Sequence, residues 1–196
     1  MKIAILILAA GSSTRMGVAK QLLPSGKTTL LGVIIECALK SNANKVCCVL
    51  GSNAEVIKQS ISKYNIESFF NPNYKTGLSS SIVAGIEHLT NQNFDGLLIL
   101  LGDQPLITAK YLNKMMDHFK KCDEKIIASK YNNTLGVPTI IPKRYFNKLL
   151  KLKGDKGAKD FLNTNTKEII PLENINLMDI DTQEEYQDYL KATNFK

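Results

Sequence analysis

The 196-residue sequence predicts an α/β fold of three layers, with helices on both faces of a mainly parallel sheet and a small antiparallel edge. Three observations carry that expectation. Short apolar runs rich in branched residues, of a length suited to buried strands, stand at 3–9, 45–50 and 97–101. Segments with helical spacing or capping residues separate them, so strand and helix alternate through residue 130. No internal repeat or low-complexity linker interrupts the alternation. A single domain over 1–196 is expected, of a size that buries roughly 70% of its unfolded surface.

The first element, 3–9, is unbroken by any polar residue and too short to span a membrane. It ends at Ala10-Gly11 in a polar loop holding Ser12, Ser13, Thr14, Arg15, Gly17 and Lys20. Glycine in such a loop permits positive φ and close backbone approach, so that main-chain N–H groups face an anion. Arg15 offers a forked cation and Lys20 a point charge, the pair of shapes that phosphates accept. Two better-known phosphate motifs are excluded. Gly11 and Gly17 do not make the dinucleotide fingerprint, and the Gly26-Lys27-Thr28 tail lacks both a preceding strand and a glycine at Gln21. Gly26-Lys27-Thr28 reads instead as a turn before a helix.

That helix is expected over 29–40, with apolar residues at 30, 31, 34, 35, 38 and 39. A strand at 45–50 stops at Gly51, and Ser52 with Glu55 predicts a capping box opening a helix to about 63. A short strand follows at 66–70. The next helix is expected to begin inside Ser79-Ser80-Ser81, with hydroxyls and free N–H groups directed back at the loop; a plain N-cap would need only one serine.

The run 97–101 empties into Gly102-Asp103-Gln104-Pro105, and Thr108 caps a helix to about 121. An acidic residue at the tip of a buried strand suits Mg²⁺ beside substrate phosphates, and suits a turn equally well. A strand at 125–130, a turn at 132–133 and an extended segment at 136–142 come next. Pro142 opens a helix with Tyr145, Phe146, Leu149 and Leu150 on its apolar face, and 154–159 opens another. Pro171 confines a strand at 167–172 to an edge. After Asp179-Ile180-Asp181, Thr182 and Glu185 form the capping box of a terminal helix.

Composition narrows the function classes. Hydrophobic residues make up 44%, and the net charge is +7. The cations are scattered, with a local excess only over 143–159 and no aromatic residues interleaved in the manner of a nucleic-acid surface. That stretch reads as a solvated face or as attraction for an anionic small substrate. Met1-Lys2 leads straight into a strand, without the pattern of a signal peptide, and the four cysteines have no metal or disulfide spacing. Buried, reduced thiols in a cytoplasmic protein are expected, with neither nucleic acid nor membrane as partner. His88 and His118 fall on predicted helices in packing or surface roles, so no general base stands out.

Five segments in order carry a resemblance. They are Leu8-Ala9-Ala10-Gly11 with Arg15-Met16-Gly17, Lys20 with Leu22-Leu23, Gly77 to Ser81, Leu100 to Pro105 in the pattern L-x-G-D-x-P, and Gly154 to Lys159. Together they resemble the molybdenum cofactor cytidylyltransferase and guanylyltransferase family, and are most similar to the cytidylyltransferases. The resemblance implies a Rossmann-like sheet of the nucleotide-diphospho-sugar transferase type. It makes 1–130 the NTP-binding part, 131–181 the acceptor-side part and 182–196 a terminal helix and tail.

The reaction implied is Mg²⁺-dependent transfer of a nucleotidyl group from an NTP to a phosphate monoester, molybdopterin in this family, with release of pyrophosphate. The resemblance assigns catalysis to Arg15, Lys20 and Asp103. It assigns the nucleotide to Leu8, Ala9, Ala10, Gly11, Ser12, Arg15, Lys20, Gly77, Leu78, Ser79, Ser80, Ser81 and Asp103. The acceptor goes to Gln104, Pro105, Gly136, Val137 and Pro138, and Mg²⁺ to Asp103 with Asp181 as a second ligand.

Ala10 favours CTP over GTP, because cytidylyltransferases of this family read Leu-Ala-Ala-Gly where guanylyltransferases read Leu-Ala-Gly-Gly. The sequence departs from the family at Gly136-Val137-Pro138, where G-H-P is common. A guanylyltransferase, a sugar-phosphate or isoprenoid nucleotidyltransferase, and a non-catalytic nucleotide-binding regulatory domain are the alternatives. The family also implies a molybdoenzyme or its chaperone as recipient of the product; a monomer is expected.

Overall fold

The structure, a computed structural model, describes residues 1–122, 125–131, 134–173 and 177–193. In chain order its elements are β1 (Ile3–Ala9), β2 (Pro24–Ser25), β3 (Thr28–Thr29), α1 (Leu30–Leu39), β4 (Lys45–Leu50), α2 (Ala54–Ile61), β5 (Glu67–Phe70) and α3 (Leu78–Leu89). They continue as β6 (Gly96–Leu101), α4 (Ala109–Lys121), β7 (Ile126–Tyr131), β8 (Thr134–Pro142), α5 (Phe146–Leu149), α6 (Lys159–Thr164), β9 (Ile169–Leu172) and α7 (Gln183–Ala192).

The main sheet has the order β5-β4-β1-β6-β8-β7-β9. Strand β1 runs parallel to β4 on one side and to β6 on the other, and so has no edge. Its burial is complete on both faces, which explains the unbroken apolar sequence. Ile3, Ile5, Ile7 and Ala9 face one layer, where α1, α2 and α4 contribute Ile34, Ile35, Ile57, Leu112, Met115 and Phe119. Ala4, Leu6 and Leu8 face the other, with Ile82 and Ile86 of α3, Leu149 of α5 and Phe161 of α6. Each large side chain so buried contributes about 1.5–3 kcal/mol. A third cluster joins Met16, Leu30, Ile180, Tyr186 and Tyr189, fastening α7 over the loop that follows β1.

The α/β class and the mainly parallel sheet are as expected. The antiparallel strand is placed differently. Strand β8 pairs antiparallel with both β6 and β7, inside the sheet, while the edge strand β9 is parallel to β7. A separate antiparallel ribbon is formed by β2 and β3.

The capping boxes also divide. Thr182 and Glu185 form one on α7, and Thr29 and Thr108 cap α1 and α4 through their hydroxyls. Ser52 and Glu55 do not: α2 starts after Asn53, which sits at φ 56° without a side-chain cap, and ends at Ile61. The Ser52 N–H is used instead to bond the Ala10 carbonyl, which ties the end of β4 to the end of β1. Pro142 closes β8 and precedes a 3₁₀ turn, so α5 is a single turn from Phe146. The turn expected at 132–133 and the tail at 194–196 lie outside the described residues.

Cys37, Cys47 and Cys48 are buried, and burial raises the Cys37 and Cys47 thiols to about 11, against nucleophilic use. Among the described residues no helix is long and apolar enough to cross a membrane.

Candidate active site

The carboxyl ends of β1, β4 and β6 open on the same rim, the usual place for ligands of a parallel sheet. The loop after β1 is shaped by a residue that motif reading overlooks. Gln21 is 3% exposed, and its amide donates to the carbonyls of Ala9 and Gly11. Its carbonyl accepts from the Ser13 hydroxyl, which itself accepts from the Lys20 N–H. The only signal in the sequence was a polar residue followed by Leu22-Leu23.

Positive φ occurs in the loop at Gly17 and also at Ser13, but not at Gly11. What Gly11 supplies is open space: a Cβ there would meet nothing within 4 Å. Among the described residues the N–H groups of 12–15 take no internal acceptor, which leaves them for an anion.

The charged residues then converge. Lys20 Nζ lies 2.6 Å from Asp103 Oδ2 at the tip of β6 and 2.6 Å from Asp181 Oδ1 before α7. Arg15 lies outside, 3.1 Å from Asp181 Oδ2. The Ile180 N–H bonds the Asp103 carbonyl and its side chain is fully buried, so the backbone itself brings the two carboxylates together. Burial opposes charge on Lys20, but the attraction of Asp103 and hydrogen bonds to both carboxylates outweigh it and raise its pKa. Asp181 is shifted down, chiefly by its hydrogen bond from Lys20. Burial pushes the Asp103 carboxyl up, against the pull of Lys20. Asp103 Oδ1 is buried and has no donor among the described residues.

Three connected hollows meet here. The charged one, about 390 Å³, is lined by Leu8, Ala9, Ala10, Gly11, Arg15, Lys20, Asp103 and Asp181 among others. A second, about 570 Å³, shares Ala10, Gly11, Leu78 and Asp155 with it, and adds Ser12, Ser52, Tyr74, Lys75, Gly77 and Ser81. A third, about 380 Å³, shares Leu8, Leu78 and Leu101, and is otherwise formed by residues such as Ile82, Tyr131, Leu135, Gly136 and Val137 with Lys156 and Lys159. Leu78 borders all three.

The serine run differs from the expectation. Helix α3 starts at Leu78 behind Gly77, whose φ of 112° and approach to the Gly154 backbone admit no side chain. The Ser79 hydroxyl donates to the Lys153 carbonyl, and that of Ser80 to the carbonyls of Asn73 and Gly77. Both hydroxyls hold the fold together, while Ser81 lines the second of these hollows. On the acceptor side Gly136 and Val137 line the third hollow, while Gln104 and Pro105 are buried and Pro138 gives its carbonyl to Ser129. Gln104 instead donates to Asp179, steadying the segment that carries Asp181.

Residues 5–169 match the profile of the MobA-like NTP transferase domain. The chain belongs to that family. Among relatives, the Bifunctional protein GlmU of Gloeothece citriformis is 34% identical over 60% of this chain, which spans 26% of that protein's length. The Purine catabolism protein PucB of Bacillus subtilis is 26% identical, with 91% of each chain covered. The structure of Rv0371C of Mycobacterium tuberculosis, in complex with manganese, superposes with a TM-score of 0.83 over 98% of this chain and 100% of that one, at 23% identity. In this MobA-like domain, then, the glycine-containing loop after β1 and the strand-end Asp103 lie on one rim.

Proposed function

We propose that the protein is a divalent-metal-dependent nucleotidyltransferase, joining CTP to a phosphate monoester, molybdopterin in the first instance, with pyrophosphate released. One observation carries this reading: Arg15 and Lys20 pair with the carboxylates of Asp103 and Asp181 in one cleft, which Ser13 and Thr14 of the loop also line. Such an arrangement is suited to a polyphosphate accompanied by a metal and has no evident use in a purely structural loop.

The fit to a metal rests on Asp103. A buried carboxylate oxygen without a donor is costly unless a cation meets it. Two carboxylates are hard oxygen donors, and Mg²⁺ characteristically takes one or two of these with substrate phosphates. Two protein carboxylates leave ligand positions that the phosphates of the nucleotide would fill. Asp103 and Asp181 would hold the ion, which when bound would neutralise phosphate charge and polarise the α-phosphate.

The chain's own residues do the remainder. The loop amides and Arg15 receive the phosphates, and Lys20 meets charge developing on the leaving pyrophosphate. The base fits the second hollow, against Ala10, whose methyl group favours one ring over two, with Ser81 and Tyr74 alongside. The acceptor fits the third, where Gly136 and Val137 line an apolar wall and Lys156 and Lys159 stand ready for its anionic group. An acceptor monoester oxygen attacks the α-phosphorus, one P–O bond forms as the bond to the β-phosphate oxygen breaks, and no general base is required of an oxygen that is already anionic. Catalysis then rests on position and charge.

The test is a matrix of the four NTPs against molybdopterin and common phosphorylated acceptors, scored by pyrophosphate. CTP with molybdopterin should give the highest rate. A preference for GTP would replace the cytidylyltransferase reading by the guanylyltransferase one, and no pyrophosphate with any pair would leave only nucleotide binding.

A further inference from the structure

We infer that Lys20 occupies the divalent cation's place in the nucleotide-free protein, and that it excludes the metal until a nucleotide offers the ammonium another partner. The inference rests on the metal reading above and adds an order of events to it.

The geometry is specific. Lys20 Nζ bridges Asp103 and Asp181 at 2.6 Å each, so one ammonium engages an oxygen of both carboxylates that a metal would need. Its side chain is 12% exposed, held in the cleft rather than waving above it. The base of the same residue is fixed by the bond from its N–H to Ser13, within the loop whose 12–15 amides take no internal acceptor among the described residues. A four-carbon side chain rooted there is flexible enough to exchange the carboxylates for another anionic partner nearby.

Charge points the same way. Asp103 and Asp181 are each paired with a cation, Lys20 with both and Arg15 with Asp181, while Asp155 lines the same hollow. A divalent ion arriving alone would have to displace a resident cation that already engages both carboxylates. Arriving with a triphosphate it brings a net negative complex, and Lys20 exchanges two carboxylates for phosphate oxygens. Metal and nucleotide binding should therefore reinforce one another, with Lys20 as the coupling element.

The experiment is a calorimetric titration of the nucleotide-free protein with Mn²⁺. Wild type should bind weakly, and Lys20→Met at least tenfold more tightly. Lys20→Arg keeps the cation and should stay weak, which separates loss of charge from damage to the loop. Asp103→Asn placed on Lys20→Met should erase the gain. If Lys20→Met binds no more tightly than wild type, while its binding still depends on Asp103, the exclusion is refuted and the metal reading stands. If Asp103→Asn changes Mn²⁺ binding in neither background, the metal lies elsewhere and both readings fall.

Discussion

The two sides of the cleft are built by opposite means. The side formed by 10–21 with Asp103 and Asp181 is held by directional polar contacts: Gln21 locks two loop carbonyls and Lys20 spans two carboxylates. The side formed by the third hollow is a wall that includes Leu135, Val137 and Leu162, with Lys156 and Lys159 as its charged lining. The first gathers charge, and the second offers a largely apolar surface. Substitutions on the two sides should accordingly fail in different kinetic constants, and four substitutions put that difference at risk.

The largest effect is expected at Asp103. Asp103→Asn should lower kcat by about a thousandfold or more in a protein with an unchanged far-UV spectrum, because an amide is a poor ligand for Mg²⁺. Activity near that of wild type at limiting Mg²⁺ would remove Asp103 from the metal. Lys20→Ala should cost about tenfold to a thousandfold in kcat/KM for the nucleotide, as loss of a phosphate cation usually does. Unchanged kinetics would show a lysine with no part in turnover.

On the other side, Val137→Asp sets a charge in the apolar wall facing an anionic acceptor. The KM for acceptor should rise about tenfold while the KM for CTP holds. An equal rise in both would mean that the two sides act as one. The smallest effect belongs to Ala10→Gly. One methyl group discriminates by about 1–3 kcal/mol at most, so the ratio of kcat/KM for GTP over CTP should rise by roughly tenfold without reversal. No change in the ratio would move base selection to Ser81 and Tyr74.

The same contrast governs what could be read in the sequence. The strand β1, its loop and the strand-end Asp103 are local patterns, and each was legible. The meeting of Lys20 with Asp103 and Asp181 spans 83 and 161 residues, so only the motif resemblance pointed to it. Strand β8 was legible as extended chain, but its position between β6 and β7 is a matter of tertiary pairing that no local spacing encodes. The serines after Gly77 were misplaced for a similar reason. The partner that occupies Ser79 is the carbonyl of Lys153, far along the chain. Likewise the Ser52–Glu55 pattern met a competing bond from the Ser52 N–H to Ala10.

The central claim is that the bond broken is the one between the α- and β-phosphates, and position of label tests it directly. CTP labelled at the α-phosphate and CTP labelled at the γ-phosphate would be incubated in parallel with Mg²⁺ and the acceptor that releases most pyrophosphate. Transfer of α label to the acceptor, with γ label recovered in pyrophosphate, is the predicted result. Recovery of γ label on the acceptor would show phosphoryl rather than nucleotidyl transfer, and would contradict the account.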